Sequence, residues 1–120
     1  MKDTLYLSLK RNWFLLMITG IKKQEFRKPS KWIKSRLLDK KHKYIKFVNG
    51  YGKDKPYFIC LYKGYSQSKK SQILYFENQK IEIENNDYII NLGKIIDYGN
   101  LDSLGPEKPL LKNISPLLNN

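Results

Sequence analysis

The stretch that decides the fold is residues 5–27, which read LYLSLKRNWFLLMITGIKKQEFR. Leu5, Leu7 and Leu9 alternate with less apolar residues, and this period of two predicts a half-buried β-strand. Further along, apolar residues recur at helical spacing, which predicts an amphipathic helix over residues 10–19. A strand that leads directly into a helix indicates a fold that mixes both kinds of element.

The segment after this helix predicts a second strand. Gly20 is placed to end the helix, because glycine enters the left-handed conformation at low cost. Residues 22–27 then alternate, with Glu25 and Arg27 on one face of the strand and Lys22 on the other. This alternation predicts that Glu25 can pair with Arg27, and that Lys22 does not meet Glu25 unless a bulge intervenes.

The remaining chain contains more strands than helices. Ser30 is a good N-cap for a second helix over residues 31–38, in which Trp32 is expected to belong to the core. Strands are predicted at 44–48, 57–65 and 87–97, with weaker candidates at 73–76 and 80–84. Early helices and many strands together predict an α+β fold with a curved or barrel-like sheet.

Three segments are predicted to lack regular structure. Residues 49–56 form a glycine-rich loop, and residues 66–71 are expected to be polar and flexible. Residues 99–120 contain three prolines and are predicted to form an irregular tail.

Composition narrows the class of protein without identifying an activity. A chain of 120 residues, 41% hydrophobic and 28% charged, fits one soluble domain and excludes collagenous, disulfide-framed and wholly disordered chains. Cys60, the single cysteine, lies in an apolar run and is expected to be a small buried hydrophobe. His42 lies in a lysine-rich run that is expected to be solvated, so we predict no metal and no cofactor. No apolar stretch approaches the roughly 20 residues that span a bilayer, which predicts no membrane association and a cytoplasmic location.

Positive charge is concentrated in the first part of the chain. Residues 1–70 contain 19 Lys or Arg and 4 Asp or Glu, a net charge of +15. Residues 71–120 contain 4 Lys or Arg and 7 Asp or Glu, a net charge of −3, and the two parts sum to the total of +12. This asymmetry favours a surface that faces a polyanion such as nucleic acid. A solvated basic surface without a partner is the alternative.

Three segments taken together resemble the ASCH family, the activating signal cointegrator homology domains, in their small stand-alone bacterial and phage form. The first is the strand and helix that end at Gly20, and the third is the loop segment FVNGYGKDKP at residues 47–56. The second fits the pattern Gly-x-Lys-x-x-Glu-x-Arg through Gly20, Lys22, Glu25 and Arg27. The resemblance extends from about Leu5 to Ile96. It implies a PUA-like fold, a small β-barrel with flanking helices, over residues 1–98.

The family also implies a cleft for RNA, nucleotides or modified bases. One of its branches hydrolyses an acylated cytidine with a lysine, a threonine and a glutamate. Lys22 matches that lysine, but Glu25 stands at the position of the threonine. The missing nucleophile favours binding over this hydrolysis.

The first prediction is therefore an RNA- or nucleotide-binding ASCH domain that uses a basic cleft. Arg27 would hold a phosphate or a base edge while Glu25 orients it, although a structural ion pair is an equal alternative. Tyr51 could stack on a base. The predicted ligand-binding residues are Lys10, Lys22, Glu25, Arg27, Asn49, Tyr51 and Lys53.

Two other classes of function stay open. A small hydrolase acting on RNA or a modified nucleoside would use Lys22 and Glu25 as catalytic residues in the same cleft. A protein-interaction module would present the basic face to an acidic partner. The sequence leaves the oligomeric state open.

Overall fold

A computed structural model describes residues 3–110 and 113–114 of the chain. Its elements are, in order, β1 (Thr4–Leu9), α1 (Arg11–Ile18), β2 (Gln24–Arg27), α2 (Lys31–Leu37), β3 (Tyr44–Asn49), β4 (Tyr57–Gln67), β5 (Gln72–Phe76), β6 (Gln79–Ile83), β7 (Tyr88–Gly99) and a 3₁₀ helix (Leu101–Glu107). Five strands form one sheet in the order β1-β3-β4-β7-β2, and β5 and β6 form a separate hairpin. The predicted α+β class is confirmed.

The five-stranded sheet curls into half a barrel. The pairing of its central strand, β4, with β7 contains register shifts next to Cys60 and Tyr62, and such irregularities bend a sheet. Strands β1 and β2 are the two edges. The curl brings these two edges close to each other. Nη2 of Arg27 on β2 donates a hydrogen bond of 2.8 Å to the backbone oxygen of Ser8 on β1.

The concave side of the sheet holds the core. The three alternating leucines of β1 are buried, as the period of two predicted, and Phe14 of α1 packs edge-on against Phe58 of β4 with ring centroids 5.2 Å apart. Cys60 is fully buried, as expected for a small hydrophobe. Gly20 has a φ of 80°, which confirms its predicted role in ending α1.

Helix α2 corrects the expectation for Trp32. The hydroxyl oxygen of Ser30 accepts a hydrogen bond from the backbone N–H of Ile33 at 3.1 Å, so the predicted N-cap is confirmed. Ile33 and Leu37, four residues apart, form the buried stripe of this short helix. Trp32 lies about 100° away from Ile33 around the helix and is 48% exposed, so its predicted place in the core is wrong.

Two other segments are more ordered than the sequence suggests. Strand β4 continues to Gln67, and the buried Ser68 donates its backbone N–H to the backbone oxygen of Asp87 at 2.8 Å. The prediction that residues 66–71 are flexible is therefore wrong for the first residues of that segment. Beyond β7, residues 101–107 form the 3₁₀ helix, and Leu101 and Leu104 join the core. No helix within residues 3–110 is long and apolar enough to cross a membrane.

Candidate functional site

A groove opens where the two edges of the sheet approach each other. Its largest part is a cavity of about 610 Å³, which we call the central cavity. Strands β1 and β2, helix α2 and the loop after β3 all contribute to its wall. The lining residues include Tyr6, Ser8, Arg27, Trp32, Gly50 and Tyr51.

Two further cavities continue the groove. The Lys10 cavity, of about 510 Å³, is lined by residues that include Lys10, Trp13, Glu25, Arg27, Asn49 and Tyr51. The hairpin cavity, of about 310 Å³, lies toward the β5–β6 hairpin and is lined by residues that include Trp13, Glu25, Arg27, Lys28, Lys80 and Asp87. Arg27 lines all three cavities and is therefore the centre of the groove.

Arg27, Glu25 and Lys22 form a row of three hydrogen-bonded charged side chains, which runs from the groove into the protein interior. Glu25 accepts a hydrogen bond of 2.9 Å from Nζ of Lys22 through Oε1, and one of 2.8 Å from Nε of Arg27 through Oε2. The predicted pairing of Glu25 with Arg27 is therefore confirmed in the geometry. The prediction that Lys22 and Glu25 do not meet is wrong. Strand β2 begins only at Gln24, and the backbone N–H of Lys22 bonds to Leu16 at 3.0 Å, so strand alternation does not reach Lys22.

Lys22 lies under the groove instead of lining it. Only 1% of the residue is exposed, and its Nζ lies 5.2–6.0 Å from the ring centroids of Trp13, Phe26 and Phe76. Burial lowers the pKa of Lys22, although the contact with Glu25 opposes this shift. Lys22 therefore acts on the groove through Glu25, whose carboxylate it holds in place.

Arg27 is oriented so that one of its nitrogens is left for a ligand. Nε and Nη2 are occupied by Glu25 and by the backbone oxygen of Ser8. Among the residues that the structure describes, Nη1 makes no hydrogen bond, and 26% of the side chain is exposed. Arg27 thus keeps Nη1 as a donor for an incoming oxygen, while Glu25 and Ser8 hold the rest of the guanidinium.

The loop after β3 forms the opposite wall. Gly50 and Gly52 have φ values of 97° and 100°, a conformation that strains any residue with a side chain. The Asn49 side chain donates to the backbone oxygen of Leu9 at 3.0 Å and fixes the start of the loop against β1. Tyr51 is 84% exposed, and its hydroxyl accepts a 3.2 Å hydrogen bond from Ser8.

The structure gathers most of the predicted residues but not all of them. Lys10, Glu25, Arg27, Asn49 and Tyr51 line the groove together. Lys22 lies below its floor, and Lys53 is exposed on the loop, outside the residues that line these cavities.

Sequence reasoning missed two aromatic residues of the central cavity, Tyr6 and Trp32. Tyr6 occupies an outward position between the buried Leu5 and Leu7, and it is 49% exposed. Trp32 is adjacent to, but outside, the apolar stripe of α2. The alternation in β1 and the spacing in α2 could have identified both as surface aromatic residues.

Comparisons with known proteins supply no relative for this chain. No family model, no curated protein and no solved structure matches it. The ASCH resemblance stays a prediction, and the interpretation of function depends on the chemistry of the groove.

Proposed function

We propose that this protein is a PUA-like domain of the ASCH type that binds RNA or a nucleotide in the groove. The observation that carries the proposal is the position of Arg27 on the groove floor, with the exposed rings of Trp32 and Tyr51 lining the same cavity. A cation beside exposed aromatic rings suits a nucleotide, because the phosphate takes the positive charge and the base stacks on a ring.

Each part of a nucleotide has a matching group. A base entering the central cavity can stack on Trp32 or Tyr51, which together offer sequence-tolerant surfaces. A phosphate near the Lys10 cavity can accept hydrogen bonds from Nη1 of Arg27 and the ammonium of Lys10. Lys22 and Arg27 carry two positive charges against the single negative charge of Glu25, which leaves the floor suited to an anion.

Binding is better supported than hydrolysis. A hydrolase that used Lys22 and Glu25 would need one of them to reach a substrate. Glu25 is 7% exposed and both of its oxygens are hydrogen-bonded, while Lys22 is enclosed by aromatic rings. These contacts support a role for the pair in positioning Arg27.

Tryptophan fluorescence tests the proposal. Single-stranded RNA and mononucleotides are titrated into the wild-type protein and into the matched variants Trp32→Phe and Trp13→Phe. We expect quenching that persists in Trp13→Phe and is lost in Trp32→Phe, with an affinity that falls as salt is added. Tyr51→Ala should weaken binding by about 1–3 kcal/mol if the ring stacks on a base.

Three results of the same titrations would contradict the proposal. Absence of binding to RNA and to nucleotides at low salt would exclude the proposed function. Affinity that is unchanged by salt and by Tyr51→Ala, with no change in the fluorescence of Trp32, would place the ligand outside the groove. Turnover of RNA or an acylated nucleoside that depends on Lys22 would favour the hydrolase instead.

A further inference from the structure

A fourth cavity lies beyond Trp32, on the side away from Arg27. It has a volume of about 350 Å³, and its lining residues include Tyr6, Trp32, Arg36, Lys40 and His42; we call it the His42 cavity. Tyr6 and Trp32 also line the central cavity. These two rings therefore stand between the two cavities, and the groove continues past them.

The His42 cavity is basic. Arg36, Lys40 and His42 line it, and no carboxylate is found among the described residues that do so. The hairpin cavity, at the other end of the groove, differs because Glu25, Glu82 and Asp87 all line it. An anion therefore has a favourable site beyond Trp32 and a less favourable one at the hairpin.

Two basic side chains of this cavity, Arg36 and Lys40, are available to a ligand. Arg36 and Lys40 make no ion pair with any residue in the described part of the chain. The Arg36 guanidinium lies 5.1 Å from the centre of the Trp32 ring, so charge and aromatic surface are adjacent. Nε2 of His42 lies 2.7 Å from the backbone oxygen of Arg36; a carbonyl oxygen can only accept, so Nε2 carries the proton.

We infer that the groove takes a single-stranded polynucleotide, with a base at Trp32 and Tyr6 and a neighbouring phosphate in the His42 cavity. The inference rests on the proposed function and specifies its substrate class. Basic groups on both sides of an aromatic pair match the repeat of phosphate, base and phosphate along one strand. A duplex suits this arrangement poorly, because its bases are stacked on each other and cannot stack on protein rings.

The first test compares the RNA octamer U8 with uridine monophosphate on the wild-type protein. Eight nucleotides fall within the range of about 4–16 that single domains of another fold cover on a strand. The octamer should bind more tightly than the monophosphate, and its affinity should decrease more steeply with salt. A self-complementary RNA duplex of equal length should bind more weakly than U8.

The second test removes the basic groups beyond Trp32. Arg36→Gln/Lys40→Ala deletes two positive charges at the His42 cavity, and Lys69→Ala/Lys94→Ala deletes two exposed charges that line none of the four cavities. Neutralisation of one phosphate on a single strand contributes about 0.7 to the salt slope, which is about fivefold in affinity per tenfold change in salt. We expect this decrease in salt slope for U8 with the first variant only. The salt slope of the monophosphate should stay the same with both variants, because its phosphate lies on the Arg27 side of Trp32.

The single histidine gives a direct readout. The His42 ring resonances in an NMR spectrum should move when U8 binds and stay in place when the monophosphate binds. Should the double variant fold poorly, Lys40→Ala alone is expected to lower the slope for U8 by up to about 0.7.

The outcomes separate the two proposals. Equal binding of U8 and the monophosphate, with Arg36→Gln/Lys40→Ala changing neither, would overturn the polynucleotide inference and leave nucleotide binding intact. Binding of neither ligand would overturn both. A glutamate octapeptide that competes as well as U8 would show that an acidic protein segment is the ligand.

Discussion

Replacement of Glu25 tests whether the row of charged side chains formed by Lys22, Glu25 and Arg27 stabilises the fold. Glu25→Gln keeps the shape of the side chain but removes the charge that faces both Lys22 and Arg27. An amide oxygen can accept from one of the two cations, and the amide nitrogen then faces the other. Lys22 is 1% exposed, so it would be left as a buried charge without a charged partner.

Glu25→Gln is expected to lower the free energy of unfolding by a large amount, although it replaces only one carboxylate oxygen by an amide nitrogen. Removal of one member of a buried ion pair costs about 3–5 kcal/mol of unfolding free energy. For a domain of this size each kcal/mol changes the melting temperature by about 3–4 °C, so a decrease of about 10–20 °C is expected. Urea denaturation followed by circular dichroism measures the free energy, and a thermal melt measures the temperature.

The loss should depend on pH in a direction that the contacts determine. Burial already lowers the pKa of Lys22, and loss of the Glu25 charge removes the contact that opposes this shift, while Arg27 lowers it further. Between the folded pKa and the unfolded value of 10.5, the unfolded chain binds more protons, so stability rises with pH. This window extends to lower pH in the variant than in the wild type. The deficit of Glu25→Gln is therefore largest near neutral pH and shrinks as the pH rises toward 10.

A double variant serves as the control. Lys22→Met/Glu25→Gln removes both buried charges and places an apolar side chain among the rings of Trp13, Phe26 and Phe76. It should be more stable than Glu25→Gln alone, because replacing a whole buried pair by uncharged groups is often nearly neutral. A loss below about 1 kcal/mol for Glu25→Gln, or a double variant as unstable as the sum of the two single changes, would refute the argument.

The other predictions concern separate contacts. Arg27→Lys cannot keep the hydrogen bonds to both Glu25 and Ser8, so chemical denaturation should show a loss of about 1–3 kcal/mol, and unchanged stability with weaker ligand binding would show that Arg27 serves only the ligand. Burial raises the pKa of Cys60 to about 12, so a thiol reagent should label it only as fast as the protein unfolds, and rapid labelling of the native protein would contradict its burial. Ser30→Ala should cost about 1 kcal/mol in thermal or urea denaturation, because Ser30 caps α2.

Local patterns were sufficient for most of the elements and for part of the site. Period-two leucines gave β1, helical spacing ending at Gly20 gave α1, and Ser30 marked the start of α2. The pairing of Glu25 with Arg27 also followed from position, because residues two apart on a strand share a face. These features depend on residues that are close together along the chain, so they can be predicted from the order of residues alone.

Contacts between distant segments required the tertiary structure. Lys22 meets Glu25 because the chain turns back onto α1 before β2 begins, which no alternation pattern reveals. Trp32 reaches the groove because its short helix buries one narrow stripe of side chains and leaves the indole facing the curled edge of the sheet. By itself the sequence determined where the strands and the two α-helices lie and which part of the chain is basic, but not the 3₁₀ helix at residues 101–107. The curl of the sheet decided the groove, since only packing over long sequence separations brings β1, β2, α2 and the glycine loop to one place.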